Sequence, residues 1–391
     1  MKKIGMNRGL ATATAMALVI GVAVWFVLGG SEKTAVDDPL KVNKGALSKY
    51  ESTLTYRMVR FDVENGIADI QAANKARVNI GAYFQWVDEQ CLQYQQVRDF
   101  LLCANQVVGE HFDYEVSEDV SNSYARQRSD CDLNAFLIVD VARMHGFDPY
   151  MMYSPGHAFI TWTGRDGEVY YLETTKNDNR GKLADINDAF YVRSLDGTYY
   201  TRYGADAVLS IYKALVYRLS ANKAYIVGLY NALPGNSLVA DSYYEYLMIH
   251  NRIGPDEIAD IIERLKTDPT SETLSLILAS WYVEQGDTGR ALSALGALPP
   301  RFCTSDCIWL GIEAWSDYLG YHEQGTRVSD FYGKYLKDLA IFSNYEKAQD
   351  FLKSVGLIIA AIFCVLLWFF GRRRGKCVYL ILSGSKVRRK R

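Results

Sequence analysis

Residues 129–175 constrain this chain more than any other stretch, because their pattern dictates a helix followed by a strand–turn–strand hairpin. Leu133, Phe136, Leu137, Val141 and Met144 recur at helical spacing, and Gly146 ends the series. Ser129 is a good N-cap, and Asp132 three residues on suits a capping-box-like start. Strands are expected at 147–153, 157–163 and 168–174, with Gly164-Arg165-Asp166-Gly167 as a strong turn between the last two. If Thr163 faces Gly167, then Phe159 faces Tyr171 and His157 faces Glu173. Facing residues have Cβ atoms about 5 Å apart on one side of the sheet. A slip of one residue would send the two side chains to opposite faces.

The same stretch carries a thiol, an imidazole and a carboxylate, the parts of an acyl-transfer site. Cys131 lies where a helix start leaves backbone N–H groups unpaired and carries partial positive charge, which favours a thiolate. Asp130 and Asp132 oppose that effect unless their side chains turn to the cap. His157 is the candidate general base and later acid, and Glu173 the group that fixes its tautomer. The Cys131 backbone N–H would form half of an oxyanion hole. Gln127 or Tyr124 just upstream could supply the second donor, and Gln127 is retained as the candidate. His145 is expected at a helix C-terminus, where a cation is favourable, and His111, His250 and His322 have no partner pattern. No second Cys or His lies at ligand spacing from Cys131 or His157, so neither a metal nor a cofactor is expected.

Cys131-x-x-x-Ala135 on a helix ending at Gly146, then Pro155-Gly156-His157-Ala158, then Tyr171-Leu172-Glu173-Thr174-Thr175, resembles the transglutaminase-like superfamily. The resemblance implies a papain-like core in which a Cys helix packs on a sheet whose adjacent strands carry His and an acid. Members include transglutaminases, cysteine peptidases, peptide N-glycanases and proteins that have lost activity. It therefore implies a cysteine peptidase or amidase with Cys131, His157 and Glu173 as the triad. The alternative is an inactive scaffold on the same core. This chain has Glu173-Thr174-Thr175 where the family commonly has Asp-Pro-Thr, and Ser129-Asp130 where it commonly has Gly-Asp.

Charge is segregated along the 391 residues. Residues 9–31 and 354–371 are uncharged and apolar. The first 31 residues hold three basic groups, and the tail 372–391 holds nine. All 45 acidic residues fall between these ends, against 31 basic ones, so the middle carries a net charge of about −14. About 22 apolar residues span roughly 33 Å as helix, enough to cross a bilayer. Basic flanks stay cytoplasmic. The expectation is a two-pass inner-membrane protein, N-in and C-in, with its main domain periplasmic; a cleaved signal peptide is the alternative for the first segment. The basic tail reads as a topology signal and lipid contact, not as a nucleic-acid site.

Between the ends, 45–215 is expected to be the transglutaminase-like domain, with one long helix over 82–108. Residues 216–350 are expected to form helical hairpins resembling tetratricopeptide repeats, because Gly254, Gly286 and Gly320 recur at a period near 34 between amphipathic runs. The fold class is thus α+β, with a papain-like core, repeat-like hairpins and two flanking membrane helices. Partners implied are a protein or peptide substrate, an envelope protein on the hairpins, and the membrane. Five of the seven cysteines lie in the middle, an odd number. Cys303 and Cys307 are close enough to bridge. On a continuous helix Cys91 and Cys103 would stand about 18 Å apart and could not. The count suits Cys131 as the spare thiol.

Overall fold

The computed structural model describes residues 48–117, 119–175 and 183–355. Helix accounts for 62% and strand for 8%, so the α+β expectation is corrected to a mostly helical architecture. The second expected strand, 157–163, forms as expected, but the first and third are shortened by their own chemistry. The first begins only at Tyr150, directly after Pro149, which has no N–H to give to a ladder. The third ends at Leu172, after which the carbonyls of Glu173 and Thr174 accept from Asn105 and Asn134 on neighbouring helices.

The expected membrane architecture is also corrected. No helix among the described residues is long and apolar enough to cross a membrane, so the flanking spans and the two-pass inner-membrane, periplasmic assignment are not carried forward. Residues 9–31, the tail 372–391, and all of 354–371 except its first two positions lie outside the described residues.

The helices before the site are α1 (Leu54–Glu64), α2 (Ile70–Cys91), α3 (Val97–His111) and α4 (Val120–Ala125). The expected continuous helix over 82–108 is broken at 92–96, and the break lets Cys91 pair with Cys103 across a Cα separation of 5.8 Å. Residues 112–127 contain α4 and a strand β1 (Asp113–Tyr114), which runs parallel to β2 (Arg128–Ser129).

Next comes α5 (Cys131–Met144), the central helix. Its apolar positions pack on the antiparallel sheet β3 (Tyr150–Ser154), β4 (His157–Thr163) and β5 (Val169–Leu172), in that order. Asp140 fixes α5 to α1: its carboxylate accepts from Leu54 N (2.8 Å), Thr55 N (2.7 Å) and Thr55 Oγ1 (2.8 Å), serving orphan donors at the α1 start. Asp62 on α1 similarly accepts from Ser121 N (3.0 Å), Ser121 Oγ (2.6 Å) and Tyr212 Oη (2.7 Å).

The remaining helices are α6 (Ala205–Leu215), α7 (Tyr225–Ala232), α8 (Ser237–Ile249), α9 (Pro255–Thr267), α10 (Glu272–Glu284), α11 (Thr288–Ala297), α12 (Ser305–Tyr318) and α13 (His322–Tyr335). Gly286 (φ +72°) turns the chain between α10 and α11, and Gly320 (φ +76°) between α12 and α13. One continuous buried cluster runs from Tyr50 to Leu278, so α6–α10 share a core with the sheet and its helices.

Candidate active site

Cys131 is the first residue of α5. The N-cap is Asp130 rather than Ser129: its Oδ1 accepts from Leu133 N at 3.2 Å, and its Oδ2 from Ser117 N at 2.9 Å. Among the described residues Cys131 is the one free cysteine, since Cys91–Cys103 and Cys303–Cys307 are bridged. Its Sγ–H donates to Asp132 Oδ1 at 3.3 Å. Burial, then the charges of Asp132 and Asp130, push the thiol pKa well above its usual value, and the nearby Ala158 amide offsets this only in part. The resting group is therefore a thiol. The helix terminus does not overcome two carboxylates and desolvation.

His157 opens β4 immediately after a two-residue turn, Pro155-Gly156, in which Ser154 pairs with His157. Gly156 sits at φ +69°, which the turn requires and L side chains resist. A Cβ there would also stand 3.0 Å from Cε1 of Phe302. The turn is thus tied to a residue from the loop after α11.

The β4–β5 register pairs Thr163 with Val169 and Ile160 with Leu172. That is two residues away from the expected alignment, and continuing it sets Glu173 diagonal to His157. An even offset keeps both side chains on one face. Diagonal neighbours lie roughly 7–8 Å apart at the backbone, within reach of a long side chain. The glutamate makes the contact: His157 Nε2 bonds Glu173 Oε2 at 2.9 Å, with the two side chains only 8% and 6% exposed.

Every acceptor position of that carboxylate is used. Oε2 also accepts from Tyr191 Oη at 2.8 Å, and Oε1 accepts from Thr175 N (2.8 Å) and Thr175 Oγ1 (2.6 Å). Burial alone would raise the Glu173 pKa, but the His157 contact and the Thr175 donors outweigh it and hold the group at about 2. A second set of bonds locks this segment to the Cys helix and to α3. Thr174 Oγ1 donates to the Cys131 carbonyl (3.2 Å), Asn134 Nδ2 to the Thr174 carbonyl (2.9 Å), and Asn105 Nδ2 to the Glu173 carbonyl (3.4 Å).

The expected oxyanion donors are engaged elsewhere. Gln127 Nε2 bonds the His111 carbonyl at 3.5 Å, and Tyr124 Oη is buried on the Leu133 carbonyl at 2.6 Å. Sequence reasoning missed Tyr191, Asn105 and Asn134. None sits at a motif spacing, and each is brought in by packing across the fold. The Pro155-Gly156 turn, Phe190, Tyr199 and the start of α10 border a cavity of about 540 Å³ beside His157. No group of three or more acidic, His or Cys side chains among the described residues is arranged to hold a metal ion. Comparison with family models and with curated proteins finds no match for this chain.

Proposed function

We propose that this chain is a cysteine hydrolase or acyltransferase of the transglutaminase-like type, cleaving or transferring the acyl group of a peptide amide through a thioester on Cys131. The observation that carries this reading is the 2.9 Å bond between buried His157 and Glu173, in a segment pinned to the helix that Cys131 opens. With Glu173 ionised, the imidazole proton is held on Nε2 and the basic lone pair falls on Nδ1. Because the thiol is protonated at rest, catalysis is base-assisted. His157 removes the Sγ proton as sulfur attacks the carbonyl carbon, then gives that proton to the leaving amine as the C–N bond breaks. Water or a second amine releases the acyl group from sulfur. A cavity of about 540 Å³ borders His157.

Iodoacetamide tests this reading. Cys131, a thiol at rest, is expected to label near neutral pH through proton removal by His157, so His157→Ala should abolish the labelling. Labelling that His157→Ala leaves unchanged sinks the enzyme reading. The second reading, an inactive core serving as a scaffold for a protein partner, is favoured by the Asp132-bound thiol. The exposed aromatics Trp315, Tyr318, Phe331 and Tyr335 on α12 and α13 also favour it.

A further inference from the structure

An acyl-transfer site needs two donors for the oxyanion, and the two residues expected upstream are committed to other carbonyls. The geometry points to the Tyr114 hydroxyl as the second donor, beside the Cys131 backbone N–H. This rests on the cysteine acyl-transfer reading above.

Three observations place Tyr114 there. First, β1 runs parallel to β2 with Tyr114 paired to Ser129, and the Glu115 N–H donates to the Ser129 carbonyl at 3.0 Å. Second, Asp130 stays extended (φ −124°, ψ −158°), so the strand direction persists to Cys131. Side chains alternate along a strand, which puts Tyr114, Ser129 and Cys131 on one face. Tyr114 and Cys131 are then diagonal neighbours, roughly 7–8 Å apart at the backbone and bridgeable by an aromatic side chain. Third, Tyr114 is 50% exposed, so its side chain is open to solvent rather than packed into the core.

The electrostatics agree. Burial pushes the Tyr114 hydroxyl up to about 12, and Cys131 is the first of the neighbouring charges that add to this, ahead of Asp130, Glu173 and Asp132. A phenol held protonated at neutral pH is a donor. Tyr153 on β3 also lies near Asp132 and Cys131, but it is only 4% exposed.

In the step concerned, the Cys131 Sγ–C bond forms and the Sγ proton passes to His157. The carbonyl π pair moves onto oxygen, where the Cys131 N–H and the Tyr114 O–H receive it. Collapse returns the pair to the C=O bond and expels the leaving group.

Two reagents that meet the same thiol separate this role from any other. p-Nitrophenyl acetate acylates through a tetrahedral oxyanion, whereas iodoacetamide alkylates by direct displacement and forms none. Tyr114→Phe is expected to slow p-nitrophenolate release by about 10²-fold or more, the usual cost of a lost oxyanion donor. Its iodoacetamide rate should stay within about twofold and its thermal unfolding midpoint should not move. Equal slowing with both reagents, no slowing with either, or slowing in Tyr153→Phe alone would overturn the assignment. A wild-type protein whose Cys131 reacts with neither reagent instead overturns the cysteine reading on which it rests.

Discussion

Glu173 reaches His157 from a diagonal position, and this gives the extra methylene a purpose. Glu173→Asp retracts the carboxylate from a 2.9 Å contact, and is expected to lower the alkylation rate of Cys131 by about 10²-fold, as loss of an oriented base does. The pH dependence has a definite sign. A carboxyl held at about 2 contributes stability that is present above its unfolded value, near 4.5, and lost as pH falls toward 2. In Glu173→Gln the loss of thermal stability between pH 5 and 2 should therefore be shallower than in the wild type. Asp132 acts the other way on chemistry. Its carboxylate holds the Cys131 proton and helps raise the thiol pKa, so Asp132→Asn is expected to increase the iodoacetamide rate severalfold at neutral pH.

Among the elements, the β3–β4 turn sets where His157 stands. Gly156→Ala adds a Cβ at positive φ and against Phe302, and should destabilise the protein by about 1–3 kcal/mol in chemical denaturation. The Cys helix and the His strand were legible in the sequence because they depend on local signals, an apolar 3.6 period and a glycine-bounded turn after Thr163. The exact register was not. Gly164-Arg165-Asp166-Gly167 admits more than one closure, and the observed one uses Gly164 N to Glu168 O (2.8 Å) and Gly167 N to Gly164 O (3.1 Å). The site survives because the shift is even. The helix break at 92–96 was hidden because no proline or glycine marks it. Asn105 and Asn134 were hidden because asparagines buried on helices look like any other polar position until the fold supplies their carbonyl partners.

For the whole molecule, the buried carboxylates that staple the helices make stability depend on pH. Burial raises Asp62 to about 7, Asp140 to about 6 and Asp241 to about 7, even though hydroxyl or amide donors pull each down. Raised carboxyls bind protons in the folded state that the unfolded chain has released, so their stabilisation is lost as pH rises from about 4 through 7. The thermal midpoint is expected to be higher at pH 5.5 than at pH 8. The Cys91–Cys103 bridge closes a 12-residue separation. Its removal in a Cys91→Ser, Cys103→Ser double variant should lower stability by about 2–3 kcal/mol. The expectation drawn from charge segregation falls on segments outside the described residues, whereas the helix and strands of residues 129–175 are built into the core. The most direct measurement of the central claim is intact and peptide mass spectrometry after a rapid quench of the p-nitrophenyl acetate reaction. The expected result is a single acetyl group on Cys131 that appears within the mixing time, decays with turnover, and is absent from Cys131→Ala and His157→Ala. Acetylation confined to lysines, or a His157→Ala protein acylated as fast as the wild type, would contradict an acyl-transfer role for Cys131 and His157.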